Sequence, residues 1–159
     1  VVWHHPAVAD TYTVTRETVV AAPPAAVLER LVDFRRWRDW SPFEDLDPDM
    51  QRTYDGSGVG SSYAWAGSMK AGAGRMELTD VSATRVVVEQ ENTKPLRSRS
   101  TSTFTLTEVD GGTRVTWAGT GTLNRLMRVA ARVVPMEKVL GPVFEKGLTR
   151  LGEQVQRVR

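Results

Sequence analysis

Residues 35–50, RRWRDWSPFEDLDPDM, bring two kinds of chemistry-bearing side chain together. Trp37, Trp40 and Phe43 fall within seven positions, and Glu44, Asp45, Asp47 and Asp49 follow at once. The alternate spacing of Asp45, Asp47 and Asp49 is that of a calcium loop. With Asp45 as first ligand, however, the sixth position, which needs glycine for a sharp turn, is Met50, and the twelfth, which needs a bidentate glutamate, is Gly56. A solvated acidic turn, broken at Asp47-Pro48, is the expectation. Glu44 and Asp45 are the right types for a general acid/base pair, but no motif sets them at a working separation. The rings either pack a helix against a sheet or wall the mouth of a pocket, and a pocket rim is the reading adopted for Trp37, Trp40 and Phe43, of which Trp40 and Phe43 join the candidate binding set.

Other chemistries are excluded by composition. The chain lacks cysteine, which removes thiol nucleophiles, disulfides and thiolate zinc sites. His4 and His5 are the only histidines and sit at the amino terminus, so a histidine-based triad is not expected. No zinc-like spacing appears, and no metal or cofactor is expected. GSGVG and GAGRM lack the GK[ST] ending of a phosphate loop and run into strand-like sequence, so they read as hairpin turns. With 21 basic against 19 acidic residues scattered through the chain, a nucleic-acid partner is not expected. No apolar run reaches membrane-spanning length. A cytoplasmic location is expected, with a leader or anchor ahead of Val1 left open.

The elements that must position these residues follow from periodicity. Residues 12–20 are rich in threonine and valine and read as a strand. It feeds AAPPAAVLERLVDF, where Pro23 and Pro24 suit a first helical turn and Val27, Leu28, Leu31 and Val32 recur at helical spacing. Six further short, β-branched or aromatic segments follow, punctuated by glycine or asparagine. Asp110-Gly111-Gly112 is the clearest turn, and an antiparallel meander is the natural arrangement. Leu140, Val143, Phe144, Gly147, Leu148, Leu151, Val155 and Val158 mark a long final helix with one apolar face. Before it, Leu123, Leu126, Met127, Ala130, Ala131 and Val134 form a second stripe opposed by Arg125, Arg128 and Arg132. That stripe is expected to be a solvated core helix, the competing reading being a mobile lid or a segment in transient contact with a membrane surface.

One strand, a helical excursion, six meandering strands and a long terminal helix resemble the START-like helix-grip superfamily, and within it the polyketide cyclase/dehydrase and lipid-transport group. The segments carrying the likeness are ETVVAAPPAAVLERLVDFRRWRDWSPF, DPDMQRTYDGSGVGSSYAWAG, GAGRMELTDV, GGTRVTW and FEKGLTRL, spread over roughly residues 17 to 151. The resemblance implies an α+β helix-grip fold: a curved seven-stranded antiparallel sheet gripping the last helix, with short helices after the first strand. Residues 11–159 are expected to form one such ligand-binding domain, and residues 1–10 to be disordered or a remnant of expression.

A curved sheet around one helix leaves a hollow lined by alternate strand positions. The apolar parity selects Tyr63, Trp65, Met76, Leu78, Val86, Val88, Phe104, Leu106, Val115 and Trp117 as inner. It also turns Gln90, Asn92, Ser100 and Ser102 inward and leaves Arg75 and Glu77 outside. With Trp40, Phe43, Phe144 and Gly147 added, the candidate ligand-binding set is Trp40, Phe43, Tyr63, Trp65, Met76, Val88, Gln90, Asn92, Ser102, Phe104, Trp117, Phe144 and Gly147. The function expected is binding or transport of a small hydrophobic, lipid-like or polyketide-like ligand. Two alternatives are kept. One is a polyketide cyclase/dehydrase-type enzyme, with acid/base work falling to Tyr54, Tyr63, Glu91 or Arg97. The other is a protein-interaction module like the related chaperone activators.

Overall fold

The computed structural model describes residues 11–157; His4, His5, Val158 and the expectation for residues 1–10 lie outside them. Seven strands form one sheet: β1 (Thr11–Val20), β2 (Gln51–Asp55), β3 (Ser62–Ala66), β4 (Ala73–Val81), β5 (Arg85–Lys94), β6 (Ser98–Val109) and β7 (Gly112–Thr122). Their order is β1-β7-β6-β5-β4-β3-β2, and every neighbouring pair is antiparallel. From β2 to β7 this is a meander. Gly111 turns the β6–β7 hairpin at φ 84°, a conformation that a Cβ would oppose.

Helix α1 (Pro24–Leu31) follows β1, opened by Pro23 and Pro24 as their missing N–H groups allow. Two short 3-10 helices follow, Phe34–Asp39 and Pro42–Leu46; Asp33 caps the first by accepting from Arg35 N. After β7 come α2 (Arg125–Ala131) and the long α3 (Met136–Arg157). This is the helix-grip architecture. No described helix is long and apolar enough to cross a membrane.

The core lies between the concave face of the sheet and α3, and the alternation expected of the strands holds. Tyr63, Met76, Leu78, Val86, Val88, Phe104, Leu106, Val115 and Trp117 are buried inward, joined by Phe144, Leu148, Leu151 and Val155 of α3. Arg75 and Glu77 face outward and pair at 3.5 Å. Trp117 and Phe144 stack 3.9 Å apart and 4° from parallel, cementing α3 to β7. Gly147 allows this approach: a Cβ there would stand 2.9 Å from the Trp117 ring and 3.1 Å from Pro42 Cδ.

The stripe expected to make a solvated core helix does otherwise. Helix α2 buries none of its residues, and Leu126, Val129, Val133 and Val134 are exposed. Its periodicity is genuine, but no other element covers that face.

Candidate functional site: an internal cavity with two lips

Between sheet and helices lies a cavity of about 350 Å³. Sheet register explains its polarity. Tyr12, Gly121, Ser100, Gln90, Met76, Tyr63 and Tyr54 are successive cross-strand partners in one row from β1 to β2. A second row runs Ser98, Asn92, Gly74, Trp65 and Arg52. Amides and hydroxyls therefore occupy the middle of the wall and aromatic rings its flanks.

The polar band is hydrogen-bonded. Gln90 Nε2 donates to Asn92 Oδ1 at 3.0 Å, and Asn92 Nδ2 donates to Ser98 Oγ at 2.9 Å. Trp117 Nε1 donates to Ser102 Oγ at 3.1 Å. Among the described residues this leaves Gln90 Oε1 as an uncommitted acceptor and the Ser98 and Ser102 hydroxyl hydrogens as uncommitted donors. Tyr12 lines the same wall, and burial raises its pKa against the opposing effect of a hydrogen bond with Ser100.

Of the candidate residues, the structure brings Phe43, Tyr63, Trp65, Met76, Gln90, Asn92, Ser102, Trp117 and Phe144 onto the cavity wall. Four lie behind it. Trp40 is fully buried, packed edge-on against Phe104 and Trp117, and Phe104 is equally enclosed. Val88 is a core residue beside them, and Gly147 is filled in by Trp117 and Pro42. A rim was expected of Trp37, Trp40 and Phe43; Phe43 is on it, half-exposed, and Trp37 touches the cavity beside it, whereas Trp40 does not. Parity predicted the direction in which strand residues point, but not how far along each strand the packed core ends and the hollow begins.

The solvated acidic turn holds for Asp45 and Asp49, which are exposed. Glu44, read in the sequence only as one half of a possible acid/base pair with Asp45, is instead 7% exposed and lies on the cavity wall. It accepts from the Tyr63 hydroxyl at 2.9 and 3.0 Å and from Arg52 Nε at 3.0 Å. Arg52 donates further to the carbonyls of Pro48 and Met50. Burial, followed by the Glu44 charge, pushes the Tyr63 phenol far above its ordinary range, so it stays protonated and acts as a donor. Of the other acid/base candidates, Tyr54 packs behind Tyr63 with the rings tilted 55°, Glu91 pairs with Arg99 at 3.7 Å, and Arg97 is exposed on the β5–β6 turn. None of these three lines the cavity.

The neighbouring acids each take a different direction. Asp45 meets Arg150 of α3 at 2.7 Å and Lys146 at 3.9 Å. Asp47 accepts from Ser68 N in the β3–β4 turn at 2.8 Å and from Asp49 N at 3.0 Å. Residues 42–49 thus form an acidic lip fastened to β2, β3, α3 and a hairpin turn. Lining residues that are also exposed, among them Phe43, Leu46, Lys70, Lys94, Pro95 and Leu96, locate the opening. Met127 of α2 and Met136 of α3 line the cavity from a second, basic lip, residues 125–136.

A family model described as polyketide cyclase / dehydrase and lipid transport matches residues 11–156. No curated protein matches the chain. Among solved structures, the Zhui aromatase/cyclase from a Streptomyces species is similar at TM-score 0.65 and 17% identity, covering 94% of this chain and 96% of its own. One protein from Rhizobium leguminosarum aligns at TM-score 0.67 and 18% identity, covering 93% and 96%. The di-domain aromatase/cyclase StfQ of the steffimycin pathway aligns at TM-score 0.65 and 11% identity over 94% of this chain and 50% of that one. At such identities the likeness concerns the fold.

Proposed function

The chain belongs to the polyketide cyclase/dehydrase and lipid transport family, and on that premise we propose that it binds or carries a small, largely apolar ligand in its cavity. The observation that carries this reading is the half-committed polar band of Gln90, Asn92, Ser98 and Ser102 set between aromatic walls. These side chains are half-buried and each already holds one hydrogen bond, so their residual donors and acceptor are placed to meet a guest that carries oxygen along one edge. Rings and methionines would hold the rest of it by burial, at roughly 25 cal/mol per Å² before association costs. A lipid-like or aromatic polyketide-like guest has this division.

The cyclase/dehydrase-type enzyme remains the second reading. Glu44 and Tyr63 favour it, because they place a carboxylate and a protonated phenol side by side on the cavity wall. A protein-interaction module needs no such hollow and has less support.

Organic extraction of the purified protein, followed by mass spectrometry, is expected to release a small apolar compound bearing hydroxyl or carbonyl groups. Asn92→Leu should lower its recovery several-fold in a protein that still unfolds cooperatively, at a somewhat lower midpoint because the bonds to Gln90 and Ser98 are lost. An empty extract, together with failure to bind an apolar fluorescent probe, would overturn the carrier reading. Turnover of a polyketone chain that is lost in Glu44→Gln would favour the enzyme.

A further inference from the structure

We propose that the basic lip docks the protein onto an anionic lipid surface with the cavity mouth turned toward it. Leu126, Val129 and Val133 are spaced three and four apart along one side of α2 and the turn after it, and are 64%, 57% and 83% exposed. Beside them stand Arg125, Arg128 and Arg132, all exposed. Between Asp110 and Glu137 the chain contains four arginines and no acid. Met127, on another side of the same helix, lines the cavity, so α2 separates the guest space from the outside.

The pairing of an apolar tip with a cation recurs on two further loops around the opening. Met69 precedes Lys70 in the β3–β4 turn, and Leu96 precedes Arg97 in the β5–β6 turn, two residues after Lys94. Lys70, Lys94 and Arg97 form no ion pair among the described residues, whereas the cations on the α3 side, Lys146 and Arg150, are engaged by Asp45. A bilayer interface matches this arrangement. Several separate loop tips can sink aliphatic groups into it at once while their cations meet lipid phosphates and carboxylates. A folded acidic partner would instead need a groove shaped to it.

Flotation of the full chain with phosphatidylcholine–phosphatidylserine vesicles, three to one, compared with phosphatidylcholine alone, tests the proposal without requiring a guest. Binding should appear with the mixed vesicles and weaken at high salt. It should fall about tenfold or more in Arg125→Glu/Arg132→Glu and in Leu126→Ser/Val129→Ser. Both variants alter exposed positions, and an unchanged melting curve would verify their folding. Absence of flotation, or flotation indifferent to both variants, would overturn the proposal. So would a serine variant that only dissociates a dimer, because the stripe would then be a contact between protein chains. An empty organic extract and failure to bind an apolar fluorescent probe, from a protein that still floats, would remove the ligand reading and leave this one standing.

Discussion

On one side of the cavity mouth, Glu44, Asp45 and Asp47 reach to β2 and β3, to α3 and to the β3–β4 turn; on the other, α2 buries none of its residues. Both lips are rich in charge, and both read in the sequence as solvated. In the acidic lip the charges are used up internally, and one of them is almost fully enclosed. In the basic lip Arg125 and Arg132 are displayed next to uncovered aliphatic side chains. Charge density alone therefore does not separate a fastening from a contact surface. What separates them is whether the fold brings a complementary group within reach.

The contrast predicts unequal responses to substitution. Glu44→Ala should be the most damaging, at about 3 kcal/mol in urea unfolding, because it removes the carboxylate that both Arg52 and Tyr63 meet, leaving the Tyr63 hydroxyl without its acceptor and the Arg52 charge with backbone carbonyls alone. A loss below about 1 kcal/mol would mean that the lip is held by something else. Tyr63→Phe removes one donor and should cost about 1–2 kcal/mol near neutrality. It should also change the alkaline response. The folded Tyr63 phenol keeps its proton above the ordinary phenol value of about 10, whereas the unfolded one releases it, so the unfolded state binds fewer protons there and stability falls as pH rises. Denaturation from pH 8 to 11 should show a shallower decline in Tyr63→Phe, though not a flat one, since Tyr12 and Tyr54 are also raised. At the other extreme, Leu126→Ala with Val129→Ala should move the unfolding midpoint very little, within about 0.5 kcal/mol, because both side chains already meet solvent. A large destabilisation there would show that the basic lip is packed after all.

All seven strands and both principal helices were legible in the sequence, because each is a short periodic segment whose apolar face has one place to go. Parity also turned Gln90, Asn92 and Ser102 into the hollow, a consequence of the strict two-residue repeat. Glu44 was not legible. Its partners lie 8 and 19 residues downstream on two strands, and nothing local to EDLDPD announces them. For α2 the failure ran the other way: periodicity identified the apolar face correctly but says nothing about whether another element will cover it. Trp40, Phe104 and Val88 share the composition of a cavity wall; packing against Trp37 and Trp117 places Trp40 and Phe104 in the core, and Val88 is buried there too.

Strands β5 and β6 divide labour along their length. Val86, Val88, Phe104 and Leu106 anchor one half in the hydrophobic core, while Gln90, Asn92, Ser98 and Ser100 occupy the half that faces the cavity. A handful of amides and alcohols on the cavity wall can thus be exchanged, altering the polarity of the hollow, while the half that secures the architecture stays as it is.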